Sequence, residues 1–359
     1  MLRFALVGCG RIAKRHSELL GHRQIEGATL AAVCDVVAAK AQATAATFGV
    51  PWYTDMHEMM RRENPDVAVI LTESGHHADH AIALAPYGKH LVVEKPMALT
   101  LEGADAMIRA CDRHNIRLFV VKQNRFNVPV VKLREALEAG RFGKLVLGTV
   151  RVRWCRRQSY YDQDAWRGTW ALDGGVLTNQ ASHHVDLLEW MMGEVESVFA
   201  KATTALADIE TEDTAVVILK FRSGAVGVIE ATTAARPADL EGSISILGEH
   251  GSVEIGGFAV NEMKVWRFEQ PQPGDEEILS RYSVNPPNVY GFGHQAYYQH
   301  VVNCILHEQP QLVDGLEGRR SLELISAIYE SVETGREVPM RFVPRMCRLG
   351  QQSAPEAKR

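Results

Sequence analysis

RFALVGCGRIAKRHSELLGH, residues 3–22, sets a short apolar run against two glycines and then against a stretch with helical spacing. In that order of strand, turn and helix, G-x-G-x-x-A has a physical meaning. Gly8 permits a tight turn, Gly10 lets backbone N–H groups approach a pyrophosphate at the helix N-terminus, and Ala13 is small enough for close helix–strand packing. The plainer alternative is an ordinary α/β turn that binds nothing. A second apolar run, TLAAVCD, ends at Asp35, about twenty positions past Ala13, where a carboxylate accepts from the ribose hydroxyls of an adenosine. The same charge repels a 2′-phosphate, and Val36 and Val37 follow where an arginine would compensate, so NAD is favoured over NADP.

Outward from there the rhythm continues. A helix is expected through AAKAQATAATFG, a strand at DVAVILT, a helix at HADHAIALAPYG and a strand at HLVVEK. Such alternation predicts a parallel, doubly wound sheet. Thr72, at a strand end, either contacts the dinucleotide or caps the next helix. In HLVVEKPMALT, residues 90–100, the apolar strand runs into Glu94, Lys95 and Pro96. Carboxyl ends of parallel strands open onto ligand crevices, and the proline disfavours helical geometry at Lys95. The lysine is therefore either aimed at a ligand or a surface side chain at a strand end.

After residue 122 the alternation stops. LVLGTVRVRW, EDTAVVILKF, GAVGVIEATTA, GSISILG, GSVEIG and EMKVWRF read as short strands of a mostly antiparallel sheet, flanked by helices at VPVVKLREALEAG, 176–192, 293–307 and 317–334. The predicted architecture is α/β: a dinucleotide-binding domain over 1–122, an α+β domain over 123–345, and a polar, disordered tail over 346–359. If 176–192 is one helix, Asn179, His183 and Asp186 stand at i, i+4 and i+7 and form a polar cleft wall; a hydrogen-bonded core histidine is the alternative. His183, His184, His76 and His77 are metal-ligand types, but adjacent histidines on a helix point about 100° apart and no third ligand stands at a recognisable spacing, so no metal is expected. RVRWCRR places Arg151, Arg153 and Arg157 on one strand face, with Arg125 and the Trp166–Arg167 pair adding cationic character nearby. Converging arginines suit a substrate with several anionic groups; a solvated sheet face, or an oligomer contact with acidic partners such as Glu230, is the alternative.

The 359 residues suggest two domains, and 46% hydrophobic with 23% charged residues is ordinary for a globular chain. A net charge of -5 offers no overall attraction to nucleic acid or to an anionic membrane. Apolar runs fall short of a membrane helix, MLRFALVGCG is too short for a signal peptide, and a cytoplasmic location is the default expectation. Six scattered cysteines without C-x-x-C spacing are expected reduced and mostly buried.

GCGRIA, GKHLVVEKP and DGGVLTNQASHHVD together resemble the Gfo/Idh/MocA family of nicotinamide-dependent sugar and cyclitol oxidoreductases, over Met1 to about Pro339. The resemblance implies a Rossmann domain joined to an α+β domain with an open sheet, and NAD as cofactor. Implied cofactor contacts are Gly8, Gly10, Arg11 and Ile12 from the turn, then Asp35, Thr72 and His77. Glu94 and Lys95 follow at the strand exit, where relatives often hold a cis Lys–Pro peptide. Gln123, Arg125, Trp166 and Arg167 complete the implied set.

Within the family, NQASHHVD, KQNRFNVPV and GFGHQAYYQH are similar to bacterial dehydrogenases that oxidise the 3-hydroxyl of UDP-N-acetylglucosaminuronic acid in lipopolysaccharide O-antigen sugar synthesis. That likeness implies catalytic Lys95, His183 and Asn179, with Arg125, Asn127, Arg153 and Arg157 also on a nucleotide-sugar substrate. Lys95 is expected to orient the hydroxyl and His183 to take its proton, because an imidazole titrates near 6.5 and a lysine near 10.4. Many members carry aspartate where Asn179 stands, so this amide is assigned hydrogen bonding to the sugar. A homo-oligomer is implied, a tetramer in preference to a dimer. An inositol or free-sugar dehydrogenase and a non-catalytic NAD-binding sensor are the rival readings.

Overall fold

A computed structural model describes residues 1–283, 292–340 and 344–352. The chain divides into two compact units, Met1–Lys122 with His294–Arg319, and Gln123–Gly293 with Arg320–Arg359.

The first unit carries six parallel strands, β1 (Leu2–Val7), β2 (Ala28–Cys34), β3 (Trp52–Tyr53), β4 (Val67–Ile70), β5 (His90–Val93) and β6 (Leu118–Val120), in the order β3-β2-β1-β4-β5-β6. Every residue of β4 and Leu91–Val93 of β5 are buried, which is why these strands read as unbroken apolar runs. The helices are α1 (Ala13–Gly21), α2 (Ala38–Phe48), α3 (Met56–Glu63), α4 (His77–Leu84) and α5 (Leu101–Arg113). Asp55 starts α3 by accepting from the His57 and Glu58 N–H groups, and Thr100 starts α5 by accepting from Gly103. Strand order reverses at β1/β4, so Gly8 leaves the sheet at its topological switch point.

The second unit is built on β7 (Leu145–Arg153), β8 (Val195–Thr203), β9 (Thr214–Phe221), β10 (Val226–Thr232), β11 (Glu241–Gly248), β12 (Gly251–Gly256), β13 (Glu262–Phe268) and β14 (Val338–Pro339). Their order is β13-β12-β11-β7-β10-β9-β8-β14, antiparallel except for the β7/β10 pair. Helices α6 (Val128–Glu138), α7 (Gln158–Tyr161), α8 (Ser182–Met192) and α9 (Asp275–Arg281) accompany it. Helix α8 packs on β7 and β11; at Gly148 a Cβ would overlap Leu188 and Met192 of that helix. The other sheet face stays open, with Val216 and Ile218 of β9 49% and 51% exposed while Ala215, Val217 and Leu219 are buried.

Helices α10 (Gly293–Leu306) and α11 (Gly315–Thr334) complete the chain. Residues 294–319, expected within the second domain, belong to the first unit. The reason is the aromatic, mostly buried face of α10, which sets Tyr298 edge-on to Phe4 at 5.7 Å, while Gln299 binds the backbone at Glu26. The start of the expected tail is folded too: Leu349 is 2% exposed, Arg348 lies 4.3 Å over the Trp170 ring, and the Gly350 N–H donates to the Trp170 carbonyl. The remainder of that stretch, 353–359, lies outside the described residues, as does Gly291 of the aromatic run.

Candidate active site

The turn after β1 fits a dinucleotide. Gly8 has φ +102°, and a Cβ there would come within 2.7 Å of the Leu71 carbonyl. At Gly10 a Cβ would meet nothing, so the backbone before α1 is open to a ligand; Arg11 is exposed and Ile12 half-buried beside it. The half-buried Asp35 carboxylate accepts from the Cys9 and Val37 N–H groups, each at 2.8 Å, which ties the end of β2 to the glycine turn. Thr72 pairs with His80 Nδ1 at 3.0 Å through its hydroxyl.

At the exit of β5 the Lys95–Pro96 peptide is cis and Lys95 is half-buried. His77, implied as a cofactor contact, is buried: Nδ1 stands 2.7 Å from the Pro96 carbonyl and Nε2 2.9 Å from that of Thr72, and burial pushes its pKa down. Glu94 is buried. Burial pushes its carboxyl up, but hydrogen bonds and charge from His16 and His294 outweigh this and leave it well below the usual range. Among the described residues His16, Glu94 and His294 also form the one grouping of metal-ligand types whose donor atoms lie within 4.8 Å of one another. Sequence spacing gives no sign of it.

In the second unit the expected single helix over 176–192 is two elements. Val176–Gln180 forms a π-helical turn, and α8 begins at Ser182. The i, i+4, i+7 register therefore fails at Asn179, whose amide instead donates to Asp173, a carboxylate that also accepts from the Gly168 N–H at 2.8 Å. Asp173 went unnoticed in the sequence, although it opens the DGG motif. Gln180 links Asn179 to the Tyr160 hydroxyl. The Gln123 amide nitrogen lies 2.9 Å from His183 Nε2, and His183 is 7% exposed.

Other expected contacts are committed within the unit. Arg125 makes two 2.8 Å bonds to Asp186, both side chains 3% exposed, and stacks 4.7 Å over Trp190. Asn127 is buried and donates to the Ala259 carbonyl at 3.2 Å. The Arg153 fork is taken by Glu230 at 2.6 and 2.7 Å and by Glu241 at 3.2 Å, because the β7/β10/β11 register brings those acids alongside within the same chain. Arg157 is not on the strand face at all, since β7 ends at Arg153 and Arg157 precedes α7, exposed. Arg167 bonds Asp164 and the Tyr160 hydroxyl and lies 4.6 Å over the Trp166 ring.

Residues 2–122 match the family model described as "Oxidoreductase family, NAD-binding Rossmann fold", and residues 134–340 the one described as "Oxidoreductase family, C-terminal alpha/beta domain". The chain belongs to the Gfo/Idh/MocA oxidoreductase family; it is an NAD-dependent oxidoreductase. Its similar solved structures include the WlbA dehydrogenase of Bordetella pertussis in complex with NADH and UDP-GlcNAcA, at 43% identity, TM-score 0.87, covering 95% of this chain and 99% of that one. The WlbA dehydrogenase of Chromobacterium violaceum, with the same ligands, matches at 43% identity and TM-score 0.88 over 95% and 96%. A myo-inositol 2-dehydrogenase of Thermotoga maritima is 30% identical over 95% of this chain and 99% of its own. Among the described residues no helix is long and apolar enough to cross a membrane.

Proposed function

We propose that the enzyme oxidises the C3 hydroxyl of UDP-N-acetylglucosaminuronic acid to the 3-keto sugar, a step toward lipopolysaccharide sugars. The observation that carries the reading is whole-chain likeness: 43% identity to two enzymes crystallised with this nucleotide sugar, against 30% to an inositol dehydrogenase of the same length class. Bound NAD supplies the hydride acceptor. The protein's own part is geometry and a proton path. Lys95, fixed where β5 ends, orients and polarises the hydroxyl. His183 takes its proton. Asn179, held by Asp173, hydrogen-bonds the sugar. The open face of the second sheet, with Val216 and Ile218 exposed, supports self-association into a homo-oligomer.

The test is a single-turnover reaction with NAD and either UDP-N-acetylglucosaminuronic acid or myo-inositol, followed at 340 nm with mass analysis of the product. NADH and a sugar nucleotide lighter by two hydrogens are expected with the first. Turnover of inositol alone would replace this reading with a free-polyol dehydrogenase, and NADH from neither substrate would favour a sensor.

A further inference from the structure

At the end of β5 the backbone changes what holds it. Within the sheet its neighbours serve: the Glu94 N–H donates to the Ile70 carbonyl at 3.1 Å and the Val93 carbonyl accepts from Val121 at 2.9 Å. One residue on, the sheet has ended, and the Lys95 N–H donates at 2.9 Å to the side-chain Oε2 of Glu94. The position of Lys95 therefore depends on where that carboxylate is held. Its other oxygen, Oε1, accepts from His16 Nε2 at 3.0 Å, and His16 Nδ1 lies 2.5 Å from the Tyr298 hydroxyl.

The directions follow from chemistry. An ionised carboxylate only accepts, so His16 carries its proton on Nε2. Burial raises the Tyr298 phenol well above its ordinary range, so it stays protonated, and its hydroxyl pairs with Nδ1. His294 stands 3.8 Å from the same Glu94 oxygen, its ring edge-on to His16 at 5.4 Å. His16, His294 and Tyr298 are 0% exposed and Glu94 5%, so the cluster is shielded from solvent. A divalent metal is the competing use of the same atoms, but it requires the existing His16–Glu94 bond to open.

We propose that the chain Tyr298–His16–Glu94 is a positioning device that fixes the backbone of Lys95, and through it the direction of its amine, for the reaction; this rests on the reading of Lys95 as a catalytic residue. None of the three touches substrate in this scheme.

The test compares Tyr298→Phe, Glu94→Gln and Lys95→Ala, singly and as doubles with Lys95→Ala, using whichever of UDP-N-acetylglucosaminuronic acid and myo-inositol the wild-type enzyme turns over. Tyr298→Phe removes one oxygen and is expected to lower kcat about tenfold, the scale of one buried hydrogen bond, with KM for the sugar and Kd for NAD unchanged. Glu94→Gln is expected to lower kcat by about a hundredfold, the scale of a charge-assisted bond. Neither change lowers kcat further once Lys95 is alanine. Unchanged kcat in Tyr298→Phe, or losses that multiply with that of Lys95→Ala, overturns the positioning role while leaving the lysine in place. Near-normal turnover by Lys95→Ala overturns the lysine reading itself. Should Glu94→Gln fail to fold, Tyr298→Phe alone decides.

Discussion

Glu212→Gln should erase a pH dependence of stability that one buried carboxyl imposes. Glu212 is 5% exposed; its Oε1 accepts from the Leu177 N–H at 3.0 Å and from the Tyr329 hydroxyl at 2.9 Å. A Cβ on Gly175 would overlap the same carboxyl, which explains the second glycine of DGG. Burial pushes this acid up from 4.5 to about 7, so the folded chain keeps a proton that the unfolded chain has released. With the folded pKa raised, the group's contribution is whole below pH 4.5 and is lost as pH rises to 7. The gap converts to about 3 kcal/mol, constant above pH 7. His184 works in the opposite sense: burial pushes its pKa down to about 3, and it destabilises the fold as pH drops below 6.5. Comparing Glu212→Gln with wild type at each pH cancels the His184 effect. Urea unfolding between pH 4.5 and 8 is the assay. The wild type should lose about 3 kcal/mol relative to the variant up to pH 7, then run parallel. A constant offset from the new amide N–H₂ does not matter; curves parallel throughout would refute the assignment of a proton to buried Glu212.

Two further outcomes follow from the second unit. Arg125→Ala leaves Asp186 buried without its two-bond partner and should cost about 3–5 kcal/mol in denaturant titration, whereas Arg125→Met with Asp186→Leu should recover most of it. Ile218→Glu on the open sheet face should shift the protein to a smaller species in light scattering while leaving the monomer folded; an unchanged mass would move the subunit contact elsewhere.

The strands of the first unit were legible because strands covered on both faces must be apolar throughout, and Gly8 because only a residue without Cβ passes Leu71. The second sheet was legible where alternation is strict, as in β9. It was missed at β8, where the register shift between Val195 and Ser197 puts Val198 as well as Ser197 inward. The π-turn leaves no mark in composition, since it is one extra residue in a hydrogen-bond ring. Arg153 looked available for phosphate because strand register is not written in either strand alone; only the pairing of β7 with β10 and β11 brings Glu230 and Glu241 to it. His16 and Tyr298 are separated by 282 positions, beyond any local pattern.

That separation bears on how the chain is made. A nascent chain that has just completed β6 holds every strand of its first sheet, yet His16 and Glu94 still lack the cover of His294 and Tyr298. Most of the second unit is synthesised in the meantime, and its last segment, from Arg320, follows. The dinucleotide unit, translated first, is completed only after most of the second unit has been made, and a fragment ending at Lys122 keeps both partners of the His16–Glu94 bond but lacks the cover of His294 and Tyr298.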